Sequence, residues 1–273
     1  MLEKNIFILW LQGWEHAPWL CKEVAESWRF NNPGWNIHLI SQSNLIDYVP
    51  VSYTPYLYDK NKTITSQARS DIIRLSVLAR WGGVWADATM LCMQPLDHWI
   101  QDAVEPGGLW MYHGHGAQMA KEEGPASWFI LSIKGGDMIT KWKAACDHYW
   151  TLYDSTNHYF FMDGLFRELY LMDADFAALW QRVPYLYCEL DGQSHTLSHH
   201  GMEKNTPHIK QLFEDAPPYA LKFWSYWDKL FPDVTSNDCQ QSNGYFAIQM
   251  AKRRVRYRHL MSQKQPKDSP YTC

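Results

Sequence analysis

The chain has 273 residues, 46% of them hydrophobic and 20% charged, with 15 glycines and 14 prolines. That apolar content excludes a disordered chain, and the low Gly and Pro counts exclude a low-complexity one. The net charge of −4 supplies no positive field to draw the chain onto nucleic acid, so no such partner is expected. Aromatic residues make up 15%, which points to a pocket that stacks planar or sugar rings beside ordinary core packing.

The first apolar run, Ile6 to Leu11, is too short for a signal-peptide core and follows Glu3. No stretch approaches the ~18 apolar residues that cross a bilayer. Cys21, Cys92, Cys146, Cys188, Cys239 and Cys273 are scattered without a CxxC pair, the pattern of reduced thiols rather than of a zinc site or a disulfide framework. The expected location is the cytoplasm.

Ile6 to Trp10 predicts a strand buried in a parallel sheet. Trp19, Leu20, Val24 and Trp28 have helical spacing over Pro18–Phe30, and Asn31-Asn32-Pro33-Gly34 stops that helix. Trp35–Ile40 predicts a second strand, completing a βαβ unit and so an α/β domain. Ala68, Ile72, Leu75 and Ala79 fall on one face of a helix that Gly82 would close with a left-handed cap. Val84–Ala86 is then a short strand that delivers Asp87 to the C-terminal edge of a sheet, where open α/β sheets bind ligands. Trp128–Ile133 reads as a strand ended by Gly135-Gly136, Asp137–Trp150 as a helix, and Leu165–Trp180 as a helix. From Tyr185 to Tyr226 the pattern is mostly loop.

Three features carry chemistry. Asp71 and Arg74, at i and i+3, project from one side of a mostly apolar helix, where a surface salt bridge is the plain alternative. A carboxylate there can accept sugar hydroxyls, and a guanidinium can hold phosphate in a fork. Asp87 and Thr89 would lie on one face of an extended segment, an arrangement that suits a hard divalent cation completed by diphosphate oxygens. Five cations between Lys252 and Arg258 form either a solvated tail or a patch for anionic headgroups.

The stretch from Ser70-Asp71 through Arg74 and Gly82-Gly83 to Trp85, Asp87, Ala88 and Thr89 resembles the signature of the capsular polysaccharide synthesis glycosyltransferases. These are related to the DxD-containing sugar-binding region of glycosyltransferase family 32. Ile8 to Pro18, Ser27-Trp28, Asn32 to Trp35, Trp128–Ile130 and Trp142–Trp150 are similar to the same family. The resemblance implies a GT-A fold, Rossmann-like and nucleotide-sugar-binding, with helical and loop additions in the C-terminal half. The resemblance covers about 5–215; no composition shift marks a domain boundary, so a single domain over 1–273 is expected, with a lid and basic tail at about 216–273.

By that resemblance Asp71 and Arg74 are expected to hold the donor sugar, with Asp87 as the third catalytic residue. Trp10 would stack on the nucleobase, and Ser70, Gly83 and Thr89 complete the donor site. The second Asp of the DxD motif is Thr89 here, so either Asp87 binds the metal with Thr89 or water helping, or metal dependence is weak. Asp87 is the expected ligand for Mn²⁺ or Mg²⁺; Asp163 and His195 are candidates for a further one, against a simple Asp-Gly turn and a surface imidazole, and Trp224 to Trp227 is either a lid or core packing. The implied reaction moves a hexose from a UDP-linked or other nucleoside-diphosphate sugar to a hydroxyl of a polysaccharide or lipid-linked glycan, with retention. Two alternatives stay open: a glycoside hydrolase, for which no pair of opposed carboxylates stands out, and a non-catalytic carbohydrate-binding or scaffold protein of glycan assembly. The basic run 252–258 would touch the inner face of the membrane peripherally.

Overall fold

The computed structural model describes residues 2–113, 124–156, 158–186 and 219–223. It opens with β1 (Asn5–Leu9), α1 (Trp19–Asn31) and β2 (Asn36–Ile40), followed by the one-turn helix α2 (Leu45–Tyr48) and the long α3 (Ser66–Trp81). β3 (Gly83–Ala86), β4 (Met90–Cys92), α4 (Ile100–Val104), β5 (Leu109–His113) and β6 (Pro125–Ser132) come next. The described chain continues through α5 (Asp137–Leu152), α6 (Phe161–Met172) and α7 (Ala174–Arg182) to β7 (Ala220–Lys222).

Five strands form one sheet in the order β2-β1-β3-β6-β5. β1 runs parallel to both β2 and β3, while β6 is antiparallel to β3 and to β5. A strand paired on both sides and covered on both faces needs no polar side. Accordingly Ile6, Phe7 and Ile8 are 0–1% exposed. The chain leaves β1 toward β2, then crosses back to build β3 on the other flank of β1. That reversal makes the carboxyl ends of β1 and β3 a topological switch point, the place where α/β sheets take ligands. The α/β expectation is met by this sheet.

α3 is buried almost all round, more than the expected single face. Ile72, Ile73, Leu75, Val77 and Leu78 are all 0% exposed, and each such side chain contributes about 1.5–3 kcal/mol relative to exposure. Thr65 caps its start by accepting a hydrogen bond from the Ala68 N–H at 3.2 Å. Gly82 ends it with φ 65°, a positive φ as expected, although its ψ of 173° makes it an extended left-handed turn rather than a helical one.

Two expected elements are corrected. The segment expected as one helix from Leu165 to Trp180 is two, because the Asp173 carboxylate caps a new helix by accepting the Phe176 N–H at 3.0 Å. The region expected as loop contains β7, which pairs antiparallel with β4. A three-residue strand has too little periodicity to show in a sequence. Its ends are pinned tertiarily: Tyr219 stacks on Trp99 at 3.8 Å between ring centres, and the Phe223 N–H donates to the Thr89 carbonyl at 2.8 Å.

β4 is fixed from the other side by α1. The Trp28 indole N–H donates to the Met90 carbonyl at 2.7 Å, and the Ser27 hydroxyl accepts the Cys92 N–H at 2.9 Å. The turn that joins β3 to β4 is thereby clamped at its far end. No helix among the described residues is long and apolar enough to cross a membrane.

Candidate functional site

Asp71 and Arg74 point from α3 toward the end of β3. The Arg74 guanidinium donates to Asp71 Oδ1 at 2.8 Å, to Ser127 Oγ at 3.0 Å and to Asp87 Oδ1 at 3.0 Å. Its side chain is only 7% exposed and lies 5.3 Å from the centre of the Trp85 ring, a cation–π distance. The i, i+3 spacing therefore does not make a surface salt bridge. One buried guanidinium holds together carboxylates from a helix and a strand end and a hydroxyl from β6.

Asp87 directly follows β3, its N–H still donating to the Trp128 carbonyl of β6 at 3.0 Å, and the chain then turns, with the Met90 N–H donating to the Asp87 carbonyl at 2.8 Å. The expected extended Asp87–Thr89 segment is thus a tight turn. The turn still brings both side-chain oxygens to one point, where Lys222 Nζ stands 2.9 Å from Asp87 Oδ2 and 2.8 Å from Thr89 Oγ1. The other carboxylate oxygen of Asp87 also accepts the Trp85 indole N–H at 2.9 Å.

The charges sort the carboxyls. Burial alone would push Asp87 up, but Lys222 and Arg74 together hold it below the usual carboxylate range. Asp71 is pushed up to about 6 by burial, with Arg74 opposing and Asp87 adding. Asp163, in the first turn of α6, is pushed up to about 7 by burial and by the negative charge of Asp71, again with Arg74 opposing. Asp163 therefore belongs to the same electrostatic cluster. Tyr159, 67% exposed, stands within reach of the same charges, and burial of its hydroxyl with Asp71 and Asp87 raises it.

The remaining expected residues divide. Trp10 follows β1 directly, at the same carboxyl edge as Asp87, since Phe7 and Trp85 are register partners; it is partly buried against the core. Ser70 sits half-buried on α3, one residue before Asp71. Gly83 opens β3, at the other end of that strand from Asp87, with φ 110°. A Cβ there would strike the Asn5 carbonyl oxygen, so backbone packing requires a glycine at this position. His195, Trp224, Trp227 and the basic run Lys252–Arg258 lie outside the described residues.

The residues present do not fit a divalent metal at Asp87. Mg²⁺ and Mn²⁺ sites need oxygen atoms facing an open coordination position. Here one Asp87 oxygen accepts Arg74 and Trp85, and the other shares the Lys222 ammonium with Thr89. Among the described residues no group of three or more His, Cys, Asp or Glu side chains could hold a metal ion.

Lys222 and Ser127 are the site residues missed in the sequence. Lys222 is separated from Asp87 by 135 positions. Ser127 carries no pattern of its own within an apolar strand. A signal for Lys222 existed only as a lone cation between Leu221 and Phe223 in an otherwise unpatterned stretch.

A mixed α/β sheet with a buried, charge-paired cluster at the carboxyl end of its central strands places the chain in the α/β class. The chain belongs to the family described as capsular polysaccharide synthesis protein, whose sequence profile matches residues 1–228. It is similar to the O-glycosyltransferase braB of Annulohypoxylon truncatum, with 25% identity over 151 residues, 51% of this chain and 36% of that protein. It is also similar to the glycosyltransferase afumC of Aspergillus fumigatus, with 29% identity over 112 residues, 37% of this chain and 28% of that protein. The chain thus spans about a third of the length of these curated relatives. Among solved structures, the PaToxG glycosyltransferase aligns over 92% of this chain and 86% of its own, at 15% identity and a TM-score of 0.41. The catalytic domain of alpha-toxin from Clostridium novyi aligns over 92% and 73%, at 10% identity and a TM-score of 0.36. At these scores the fold rests on the sheet described above.

Proposed function

We propose that the chain is a glycosyltransferase of the GT-A type that moves a hexose from a nucleoside-diphosphate sugar to a hydroxyl of a capsular or other surface glycan. The observation that carries the reading is the Asp71–Arg74–Asp87 assembly at the sheet's carboxyl edge. Membership in the capsular polysaccharide synthesis family supports it, as do the glycosyltransferase names of the curated relatives.

The chemistry follows from the charges. The bond between the anomeric carbon and the diphosphate breaks with its electron pair leaving on the diphosphate. The acceptor oxygen bonds to the anomeric carbon, and its proton passes to the released diphosphate. As the sugar becomes oxocarbenium-like, the carboxylates of Asp71 and Asp87 stabilise it and accept its hydroxyls. The terminal nitrogens of Arg74 hold Asp71, Asp87 and Ser127, so Arg74 positions the carboxylates. Both carboxylates are tied to that guanidinium, which favours retention over base-assisted inversion, and the anomeric proton coupling of the product tests this. The basic run 252–258 fits contact with anionic lipid near a lipid-linked acceptor; liposome flotation of the chain with and without residues 252–273 tests that part.

Thermal shift against a panel of UDP- and GDP-sugars tests the whole reading, because a bound donor must stabilise the folded state. Stabilisation by one donor in the wild type, and its loss in Asp71→Asn, is the expected result. Binding of free glycans with no response to any nucleotide sugar would instead mark a carbohydrate-binding protein.

A further inference from the structure

We propose that the Lys222 ammonium is the chain's own cation for the donor diphosphate, standing where a divalent metal would sit between Asp87 and Thr89, so that donor binding needs no metal. This rests on the glycosyltransferase reading above and adds the identity of the cation.

The ammonium lies 2.9 Å from Asp87 Oδ2 and 2.8 Å from Thr89 Oγ1. A metal bound by those two oxygens, at the ~2.0–2.1 Å that Mg²⁺ requires, would overlap that volume, and two cations do not share it.

The placement is built into the fold. Leu221 and Phe223 are 1% and 0% exposed, so strand alternation turns the residue between them to the other side. Register pairs Lys222 with Met90, the residue after Thr89. The Tyr219–Trp99 stack and the Phe223-to-Thr89 hydrogen bond hold the strand at both ends. Lys222 therefore meets the turn from outside, across from Arg74.

The two cations then differ in duty. The Arg74 side chain is 7% exposed and its two terminal nitrogens face Asp71, Ser127 and Asp87, whereas the Lys222 side chain is 19% exposed. An ammonium has three N–H bonds, and Asp87 and Thr89 take two among the described residues. Among the described residues the third meets no acceptor, so it suits a phosphate oxygen, and a lysine is a sufficient point charge for phosphate. As negative charge gathers on the departing diphosphate, a fixed ammonium beside it stabilises the transition state.

The test compares wild type, Lys222→Met, Lys222→Arg and Thr89→Val after EDTA treatment. Each is titrated calorimetrically with UDP, GDP and inorganic pyrophosphate, in EDTA and then with Mn²⁺. In EDTA the wild type is expected to bind a nucleotide with an affinity that Mn²⁺ changes by less than about threefold. Lys222→Met is expected to weaken it on the order of tenfold or more, with Lys222→Arg retaining most of it. Thr89→Val, which keeps the charge and removes one anchor, loses less; melting curves establish that each variant is folded. Binding by the wild type only with Mn²⁺, or unchanged binding by folded Lys222→Met, overturns the metal-free proposal and leaves the glycosyltransferase reading standing. A wild type that binds no nucleotide and no nucleotide sugar in either buffer overturns both.

Discussion

Arg74 and Asp87 meet at 3.0 Å although one hangs from a helix and the other from the end of the strand that follows it. The Gly82-Gly83 turn makes this geometry. It reverses the chain tightly enough that β3 runs back alongside the helix it has just left, so its end comes level with the helix interior. The positive φ angles of 65° and 110° are what allow so sharp a return.

Arg74→Met leaves the Asp71 and Asp87 carboxylates without their shared counter-ion in a buried setting. Removing one partner of a buried ion pair costs roughly 3–5 kcal/mol, and urea unfolding followed by tryptophan fluorescence measures it. A loss under about 1 kcal/mol would place the pair among surface salt bridges. Lys at the same position is expected to restore little, because an ammonium lacks the planar fork that reaches three acceptors.

Asp87→Asn has a defined pH signature. The native carboxyl is held below its ordinary value by Lys222 and Arg74 against burial. Its contribution is therefore present above the unfolded value of about 4 and is lost as pH falls through the native one. The variant is expected to be less stable than wild type at neutral pH, with the gap closing in acid. A gap that stays constant with pH would contradict the ion pairing.

Asp163→Asn carries the opposite sign. Burial and Asp71 push this carboxyl up to about 7, so the native state holds its proton more tightly than the unfolded chain. That protonation supports the fold below the unfolded value of about 4, and the support is lost as pH climbs to the native value. The amide has no charge to acquire, so the variant should gain on wild type across that window and keep the gain above it. Melting temperatures taken through the window check this, and a variant that loses ground there would contradict the burial of the charge.

Gly83→Ala separates backbone packing from ligand binding. A Cβ at φ 110° strikes the Asn5 carbonyl oxygen, and strain of this kind costs on the order of 1–3 kcal/mol. The expected outcome is a lowered melting temperature with the affinity for a nucleotide donor unchanged in the folded fraction. Lost affinity at full stability would place this glycine in the donor site.

Local pattern determined much about this protein. The apolar run from Ile6, the buried spacing of Ala68, Ile72 and Leu75, the Gly82-Gly83 turn and the acid at Asp87 each depend on neighbours a few residues away, so they are written in contiguous sequence. The split at Asp173 was equally local, an acidic cap before Ala174 that an unbroken helical spacing hides. The partners of those residues were decided by tertiary structure alone. Ser127 reaches Arg74 because β6 lies beside β3, and Lys222 reaches Asp87 because an aromatic stack on Trp99 draws a distant three-residue strand onto β4. Side-chain periodicity reports which face of an element is buried. It carries no record of which remote charge is brought to that face, because that choice belongs to packing between elements that are far apart along the chain.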